Sequence, residues 1–216
     1  MKAVIFDLNG TLTYTLQDLW LSTNYALSQM FFPTRTIDEV RRFVGNGVRR
    51  LMEQAVPDGI DAQQFEQCFE YFRRHYVAHC QDHTCLYDGI AQLLQQLKEQ
   101  GVPMAIVSNK LQAGVDELYV RYFRDTIAFA IGEQPSLQRK PAPDMVHAAL
   151  RRLGVSAAEA VYVGDSEVDL LTARNAGLPC ISVLWGFRDR DQLLQHGAQH
   201  FASTPQELLR LLQELA

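Results

Sequence analysis

The alternation of short apolar runs with helix-periodic segments restricts what this chain can fold into more than any other feature. The helical stretch Ile90 to Glu99 leads to Val102-Pro103-Met104-Ala105-Ile106-Val107, and a helix from Leu111 to Arg121 leads to the strand-like Thr126 to Ile131. A helix from Asp144 to Leu153 then precedes Ala160-Val161-Tyr162-Val163, and one from Ser166 to Ala176 precedes Pro179 to Leu184. A weak strand near His200-Phe201 and a helix from Pro205 to Leu215 end the chain. Short apolar runs separated by helices read as strands buried on both faces and joined by crossovers, the pattern of a parallel sheet. Val4-Ile5-Phe6, which stops abruptly at Asp7 and the turn Leu8-Asn9-Gly10-Thr11, joins the same sheet. The predicted fold class is α/β, a Rossmann-like doubly wound parallel sheet.

One block interrupts this alternation. Leu16, Leu19, Trp20, Ala26, Leu27 and Met30 follow a helical period that Pro33 ends, and Thr36 with Glu39 three residues later forms a capping-box pattern for a second helix. Gly45-Asn46-Gly47 breaks that helix, Val48 to Ala55 makes a third, and Ala62 to Cys80 a fourth, long and amphipathic one. The expected organisation is a core of residues 1–14 and 85–216 with a four-helix insert at 15–84.

Composition excludes some classes of function. With 216 residues and 47% hydrophobic side chains the chain can bury a large core, and its net charge of -5 offers no basic surface for nucleic acid. Asp7 interrupts the amino-terminal apolar run too early for a signal peptide, and no run approaches a membrane span. A cytoplasmic protein without nucleic-acid or membrane partners, monomeric or homodimeric, is expected. Cys68, Cys80, Cys85 and Cys180 lack Cys-x-x-Cys spacing and read as reduced thiols. His75, His79, Cys80, His83 and Cys85 lie close in sequence, with His75 and His79 one helical turn apart. No second ligand pair stands at zinc-finger spacing and no Glu follows the first His, so the group reads as a polar helix end.

The residues at the carboxyl ends of the runs carry the chemistry. The first run ends in Asp7, the second in Ser108-Asn109-Lys110 and the fourth in Gly164-Asp165-Ser166, while the loop before the fourth carries Arg139-Lys140-Pro141. In a doubly wound sheet such ends converge on one crevice. There a nucleophilic carboxylate, a hydroxyl with helix-end amides, a cation and a second carboxylate would face one another, a set suited to phosphoryl transfer. Taken singly, each piece also has a structural reading. Ser108-Asn109 serves equally as a helix cap, Ser166-x-x-Asp169 as a capping box, and Lys140 as a solvated charge.

The motifs together resemble the haloacid dehalogenase superfamily of hydrolases, with a helical cap of the first type, and most of all its phosphoglycolate phosphatase-like branch. The resemblance rests on Phe-Asp-Leu-Asn-Gly-Thr at 6–11, Val-Ser-Asn-Lys at 107–110, Arg-Lys-Pro-Ala-Pro at 139–143, Val-Gly-Asp-Ser-Glu-Val-Asp at 163–169 and Trp-Gly-Phe at 185–187. Phe43-Val44-Gly45-Asn46-Gly47-Val48-Arg49 resembles that branch's cap loop. What this implies is a phosphatase acting on a small phosphate ester through an aspartyl phosphate on Asp7. It implies Mg2+ held by Asp7, Asp165 and the main-chain carbonyl of Asn9, with Asp169 behind them. Ser108, Lys140 and the amides around Gly10, Thr11 and Asn109 would bind the phosphoryl group. Gly45 and Gly47 would let their loop approach the crevice, which makes Arg49 the candidate for a cationic contact to a substrate carboxylate or phosphate, while Arg49 and Arg50 read equally as solvated helix charges.

One departure stands out. Phosphatases of this family carry a second Asp two residues after the nucleophile as general acid and base, whereas this chain has Asn9. An amide has no proton to cycle at neutral pH, and loss of a positioned acid/base costs about 10²–10⁴ in rate, so slow turnover is expected. The alternative is a non-catalytic protein that binds phospho-ligands or acts in regulation and keeps the fold. A phosphonate-cleaving relative would need a cap lysine for its Schiff base, and residues 15–84 contain none. Dehalogenase relatives have an aromatic residue at position 9, and Asp165 argues for a metal site they lack. A phosphomutase would need the second Asp even more.

Overall fold

The computed structural model describes residues 3–215. In chain order the elements are β1 (Ala3–Phe6), β2 (Thr13–Tyr14), α1 (Leu16–Gln29), α2 (Ile37–Phe43), α3 (Gly47–Ala55), α4 (Ala62–His79), β3 (Cys85–Leu86), α5 (Ile90–Glu99), β4 (Met104–Leu111) and α6 (Gln112–Leu118). They continue with β5 (Phe129–Glu133), α7 (Asp144–Leu153), β6 (Ala160–Gly164), α8 (Glu167–Ala176), β7 (Cys180–Val183), α9 (Arg190–Gln195), β8 (His200–Ala202) and α10 (Pro205–Glu214). The chain forms two compact units, Met1–Thr13 with Leu86–Ala216, and Tyr14–Cys85. Each border thus falls one residue away from the 14/15 and 84/85 divisions read from sequence.

In the first unit six strands form one sheet in the order β5-β4-β1-β6-β7-β8, with every neighbouring pair parallel. The central strand shows why the sequence reads as an unbroken apolar run. Val4 and Phe6 point into a layer with Leu93 and Leu97 of α5 and Leu208 and Leu212 of α10. Ala3 and Ile5 point to the opposite layer, with Met145, Val146 and Ala149 of α7 and Ala173 and Ala176 of α8. Successive side chains on a strand alternate faces, so a sheet covered on both sides requires every residue of β1 to be apolar. Strand order reverses beside β1, with β4 and β5 on one side and β6 to β8 on the other. The carboxyl ends of β1 and β6 therefore flank the crevice where such sheets place ligands.

Two details depart from the sequence reading. Pairing of β4 with β5 breaks after Val107 and resumes at Leu111 opposite Glu133, so Ser108, Asn109 and Lys110 lie in an irregularity within the strand rather than beyond its end. Such bulges re-aim side chains near functional sites. Helix α9 was not expected, because a helix this short gives no readable period. Its signal is the capping box of Asp189 and Gln192.

The second unit is helical, with α1 packed along α4 and with Leu19, Ala26 and Leu27 of α1 and Cys68 and Phe72 of α4 buried. The Thr36–Glu39 capping box is formed as the sequence predicts, and Asp61 with Gln64 makes another at the start of α4. Asp18 of α1 is almost fully buried. Its carboxylate accepts the Thr84 amide (2.9 Å) and hydroxyl (2.8 Å) and the His83 amide (3.0 Å), and pairs with His83 Nδ1 (2.9 Å). These bonds tie the end of the insert back to its first helix. The four cysteines are free thiols, and among the described residues no helix is long and apolar enough to cross a membrane.

Candidate active site

Asp7 follows β1, Asp165 follows β6, Asp169 sits in the first turn of α8, and Lys140 lies in the loop before α7. All four are buried, and the structure brings them together. Lys140 Nζ donates to Asp7 Oδ1 at 2.6 Å and to Asp169 Oδ1 at 2.7 Å. One carboxylate oxygen from each of Asp7, Asp165 and Asp169 lies within 4.8 Å of the other two.

The backbone explains why these groups hold their places. The Asp7 amide donates to Val163 O of the adjacent β6 (2.8 Å), so the sheet itself fixes where the nucleophile candidate leaves the strand. Asn109 clamps the main chain of Lys140, donating from Nδ2 to Lys140 O (3.0 Å) and accepting the Lys140 amide at Oδ1 (2.8 Å). Asp169 accepts the amides of Asp165 (3.2 Å) and Ser166 (3.1 Å) and the Ser166 hydroxyl (2.7 Å) at Oδ2, as the Ser166-x-x-Asp169 capping box predicts. The capping reading and the site reading of Asp169 are thus both realised, one on each oxygen.

Asp165 is enclosed by two loops. Thr11 Oγ1 donates to its Oδ1 (3.1 Å) and the Phe187 amide to its Oδ2 (2.8 Å). A Cβ on Gly10 would lie 2.4 Å from Asp165 Oδ2, and one on Gly186 would lie 2.3 Å from Asp165 Cβ. Gly10 also has φ near +93°, a conformation that other residues adopt only under strain. Trp185 Nε1 donates to Thr11 O (2.9 Å), which closes the Trp-Gly-Phe loop against the first turn.

Several sequence expectations change in detail. The Gly10 amide donates to Thr13 O (2.9 Å), so it is not poised to receive an anion, and the Thr11 hydroxyl is engaged with Asp165. The Asn109 side chain serves Lys140 in the same way. Ser108 is buried, and its Oγ accepts the Lys110 amide (3.2 Å), so its own proton is what it can offer a ligand. Arg49 belongs to the helical unit, where its guanidinium pairs with Glu66 and lies over the rings of Phe65 (5.0 Å) and Phe69 (5.3 Å). Asn9 Oδ1 is buried without a hydrogen-bond partner.

Tyr162 was missed. Its side chain is fully buried, and its hydroxyl donates to Asp169 Oδ1 (3.1 Å) and accepts from Lys140 Nζ (3.1 Å). A tyrosine within an apolar strand reads as core, and nothing in the local pattern separates it from Val161 and Val163. Tyr162→Phe removes this hydroxyl while leaving Lys140 its two carboxylates. The expected loss is about 1–2 kcal/mol of stability, measured by urea denaturation, because a buried bond to a charged group is lost without a cavity.

The charge balance decides what the site can hold. Burial raises the Asp7 carboxyl to about pKa 6 against the attraction of Lys140, and burial with repulsion from Asp169 and Asp7 raises Asp165 well above its ordinary value. Burial also opposes ionisation of Asp169, but Lys140 outweighs it and holds that carboxyl below the usual range. For Lys140, Asp169 and Asp7 likewise overcome the burial that would depress it, and its pKa is raised. With all three carboxyls ionised against one ammonium, two negative charges stand in excess in a buried site, a state that the raised Asp7 and Asp165 pKa values oppose unless a cation offsets it. Oxygen donors with a surplus of two charges fit a hard divalent cation, and Asp169, whose Oδ1 accepts two hydrogen bonds and Oδ2 three against one on each oxygen of Asp165, is the least suited of the three to ligate it directly.

Comparisons with known proteins agree with this geometry. Residues 4–183 match the family model for haloacid dehalogenase-like hydrolases. The chain is 35% identical over 188 residues to phosphoglycolate phosphatase from Xanthomonas campestris pv. campestris strain 8004, covering 87% of this chain and 85% of that protein. It is 34% identical over 196 residues to phosphoglycolate phosphatase from Pseudomonas savastanoi pv. phaseolicola, covering 86% and 70%. Among solved structures, a candidate phosphoglycolate phosphatase from Lactobacillus delbrueckii subsp. bulgaricus superposes with a TM-score of 0.93 at 33% identity, over 98% of this chain and 99% of that one. The chain belongs to the haloacid dehalogenase-like hydrolases, on their phosphoglycolate phosphatase-like branch, and is by family a phosphoric monoester hydrolase.

Proposed function

We propose that the chain hydrolyses a small phosphate ester of the phosphoglycolate type, with Asp7 as nucleophile. The observation that carries this reading is the buried ammonium of Lys140 held between Asp7 and Asp169, with Asp165 within ligand distance of both carboxylates. Lys140 offsets the repulsion between the Asp7 carboxylate and an incoming phosphoryl dianion, and it supplies positive charge where the equatorial oxygens gather charge in the transition state. Attack by Asp7 on phosphorus expels the alkoxide and leaves an aspartyl phosphate, which water then cleaves to inorganic phosphate and free Asp7. Ser108 donates its proton to a phosphoryl oxygen. Tyr162 and Asn109 act through Lys140, the first on its ammonium and the second on its main chain.

Mg2+ would be held by the carboxylates of Asp7 and Asp165 with the Asn9 main-chain carbonyl, and when bound it neutralises the excess charge and orients the phosphoryl group. Asp169 positions Lys140 and the Asp165 loop instead of ligating. The helical unit, as the cap, would select the substrate and shield the reaction from bulk water. Arg49 is a weaker candidate for substrate recognition than its sequence position implies, because Glu66, Phe65 and Phe69 already hold its guanidinium. A cytoplasmic setting and a monomeric or homodimeric state belong to the same reading.

Asn9 makes the protein a slow member of its branch. The amide cannot protonate the leaving alkoxide or deprotonate the attacking water. Phosphate release from phosphoglycolate and from a panel of other small phosphate esters, with Mg2+ and with the metal chelated, tests the assignment. Metal-dependent release with phosphoglycolate among the preferred esters supports it. Binding of phosphate with no release from any ester, even in Asn9→Asp, would favour a non-catalytic phospho-ligand receptor.

A further inference from the structure

The end of α4 carries a group of side chains that phosphoryl transfer does not use. His75 and His79, one turn apart, lie with ring centroids 4.4 Å apart and planes tilted by 32°, and Tyr25 of α1 stacks on His75 at 4.3 Å. The Nδ1 atom of each imidazole is engaged, that of His75 with Ser22 Oγ at 3.0 Å and that of His79 with Asp82 Oδ2 at 2.8 Å. A carboxylate only accepts, so the bond to Asp82 places a proton on His79 Nδ1 and leaves Nε2 as the ring atom turned away from that partner. Burial, followed by the neighbouring His79, lowers the pKa of His75. Both histidines line a cavity of about 240 Å³ within the helical unit, together with Asp18, Leu21 and Asp82.

We propose that this cavity binds one divalent transition-metal ion of the Zn2+, Ni2+ or Cu2+ kind through the Nε2 atoms of His75 and His79, with water completing the coordination. Imidazole suits these borderline ions and not Mg2+, which prefers oxygen. Two histidines at i, i+4 share one helix face, and the stacked Tyr25 restricts the ring of His75. Asp82 behind His79 supplies the carboxylate–histidine pairing that fixes a ligating tautomer and raises ligand basicity. Asp18 cannot join without breaking its bonds to His83 and Thr84. Among the described residues, the group of three or more metal-binding side chains that stand within reach of one another is the aspartate set of the other unit. The histidine site is therefore open, its ion exchangeable and not structural.

This assignment is independent of the phosphatase reading, because it lies in a different unit and uses nitrogen donors. The test is a Zn2+ titration of the whole chain against a chromogenic chelator, in excess Mg2+ so that the aspartates are occupied. One equivalent of Zn2+ is expected, with affinity falling at least tenfold in His79→Gln and in His75→Gln, and about 10–100-fold in Asp82→Asn. Asp7→Asn leaves this equivalent in place. With Cu2+ as probe, the electron paramagnetic resonance spectrum shows hyperfine coupling to two imidazole nitrogens, reduced to one in His79→Gln. His79 is half exposed, so its substitution leaves the fold intact even if that of His75 does not. Zn2+ affinity unchanged in His79→Gln, loss of the equivalent in Asp7→Asn, or coupling to fewer than two nitrogens in the parent would each overturn the proposal.

Discussion

Asn9→Asp raises the rate of phosphate release by about 10²–10⁴ over the chain as it stands, in the range expected for restoring a positioned general acid and base. The substitution changes one amide to a carboxyl in a turn that the structure already builds, with Leu12 and Thr13 amides donating to Leu8 O and the Gly10 amide donating to Thr13 O. Asn9 Oδ1 has no hydrogen-bond partner there, so an Asp oxygen takes its place without displacing an existing bond. The gain depends on the leaving group. An alkyl ester such as phosphoglycolate needs its alkoxide protonated and gains most in the first step, whereas an aryl phosphate leaves unaided and gains mainly in hydrolysis of the aspartyl phosphate. Steady-state kcat with both substrates, at saturating Mg2+, separates the two steps. Equal rates for parent and variant would show that residue 9 takes no part in proton transfer.

Asp165→Asn is expected to have opposite effects on stability and on metal binding. Burial raises the Asp7 carboxyl from 3.8 to about 6 and raises Asp165 in the same direction, so in the metal-free protein the native state binds more protons than the unfolded chain through the Asp7 window of about pH 4 to pH 6. Stability therefore falls as pH rises through that window, and at neutral pH the crowded carboxylates are a net burden. Removing one of them stabilises the metal-free protein by on the order of 1–3 kcal/mol, since the amide can still accept from Phe187 N and turn its NH2 toward the Thr11 hydroxyl. For the parent, Mg2+ at about 100 times its dissociation constant adds roughly 2.7 kcal/mol by mass action. That increment disappears in Asp165→Asn. Thermal melts at pH 7.5 with and without Mg2+ show both effects, each kcal/mol corresponding to about 2–4 °C in a chain of this size. A variant less stable than the parent without metal, or still stabilised by Mg2+, would contradict this charge balance.

The sequence made the sheet legible because burial on both faces keeps β1 wholly apolar and β6 and β7 largely so, and the resulting apolar runs stop where the crevice begins. Asp7 and Asp165 were readable for that reason, as chemistry-bearing residues standing at the ends of runs, and Lys140 as part of the Arg-Lys-Pro motif in the loop between two of them. The groups that sequence did not reveal act across the fold. Tyr162 resembles its apolar neighbours, and only the approach of Lys140 and Asp169 from other elements gives its hydroxyl a partner. Gly186 matters because Asp165 packs on it, a contact between loops over 20 residues apart in sequence. The Gly10 amide showed the reverse error. Its motif promised an anion donor, but it is engaged by Thr13 O, a claim that local pattern cannot register. The histidines of α4 likewise read as a solvated helix end until Ser22, Tyr25 and Asp82 came to lie beside them.

The central claim, that Asp7 takes the phosphoryl group and Asn9 leaves it stranded there, is tested most directly by quenching the chain after mixing with excess aryl phosphate and Mg2+ and weighing it by mass spectrometry. The account predicts a burst of one aryl alcohol per chain, with one phosphoryl group held on the peptide containing Asp7. That adduct should disappear in Asp7→Asn and fail to accumulate in Asn9→Asp. Aryl alcohol released linearly with no adduct on Asp7, or an adduct that persists in Asp7→Asn, would contradict it.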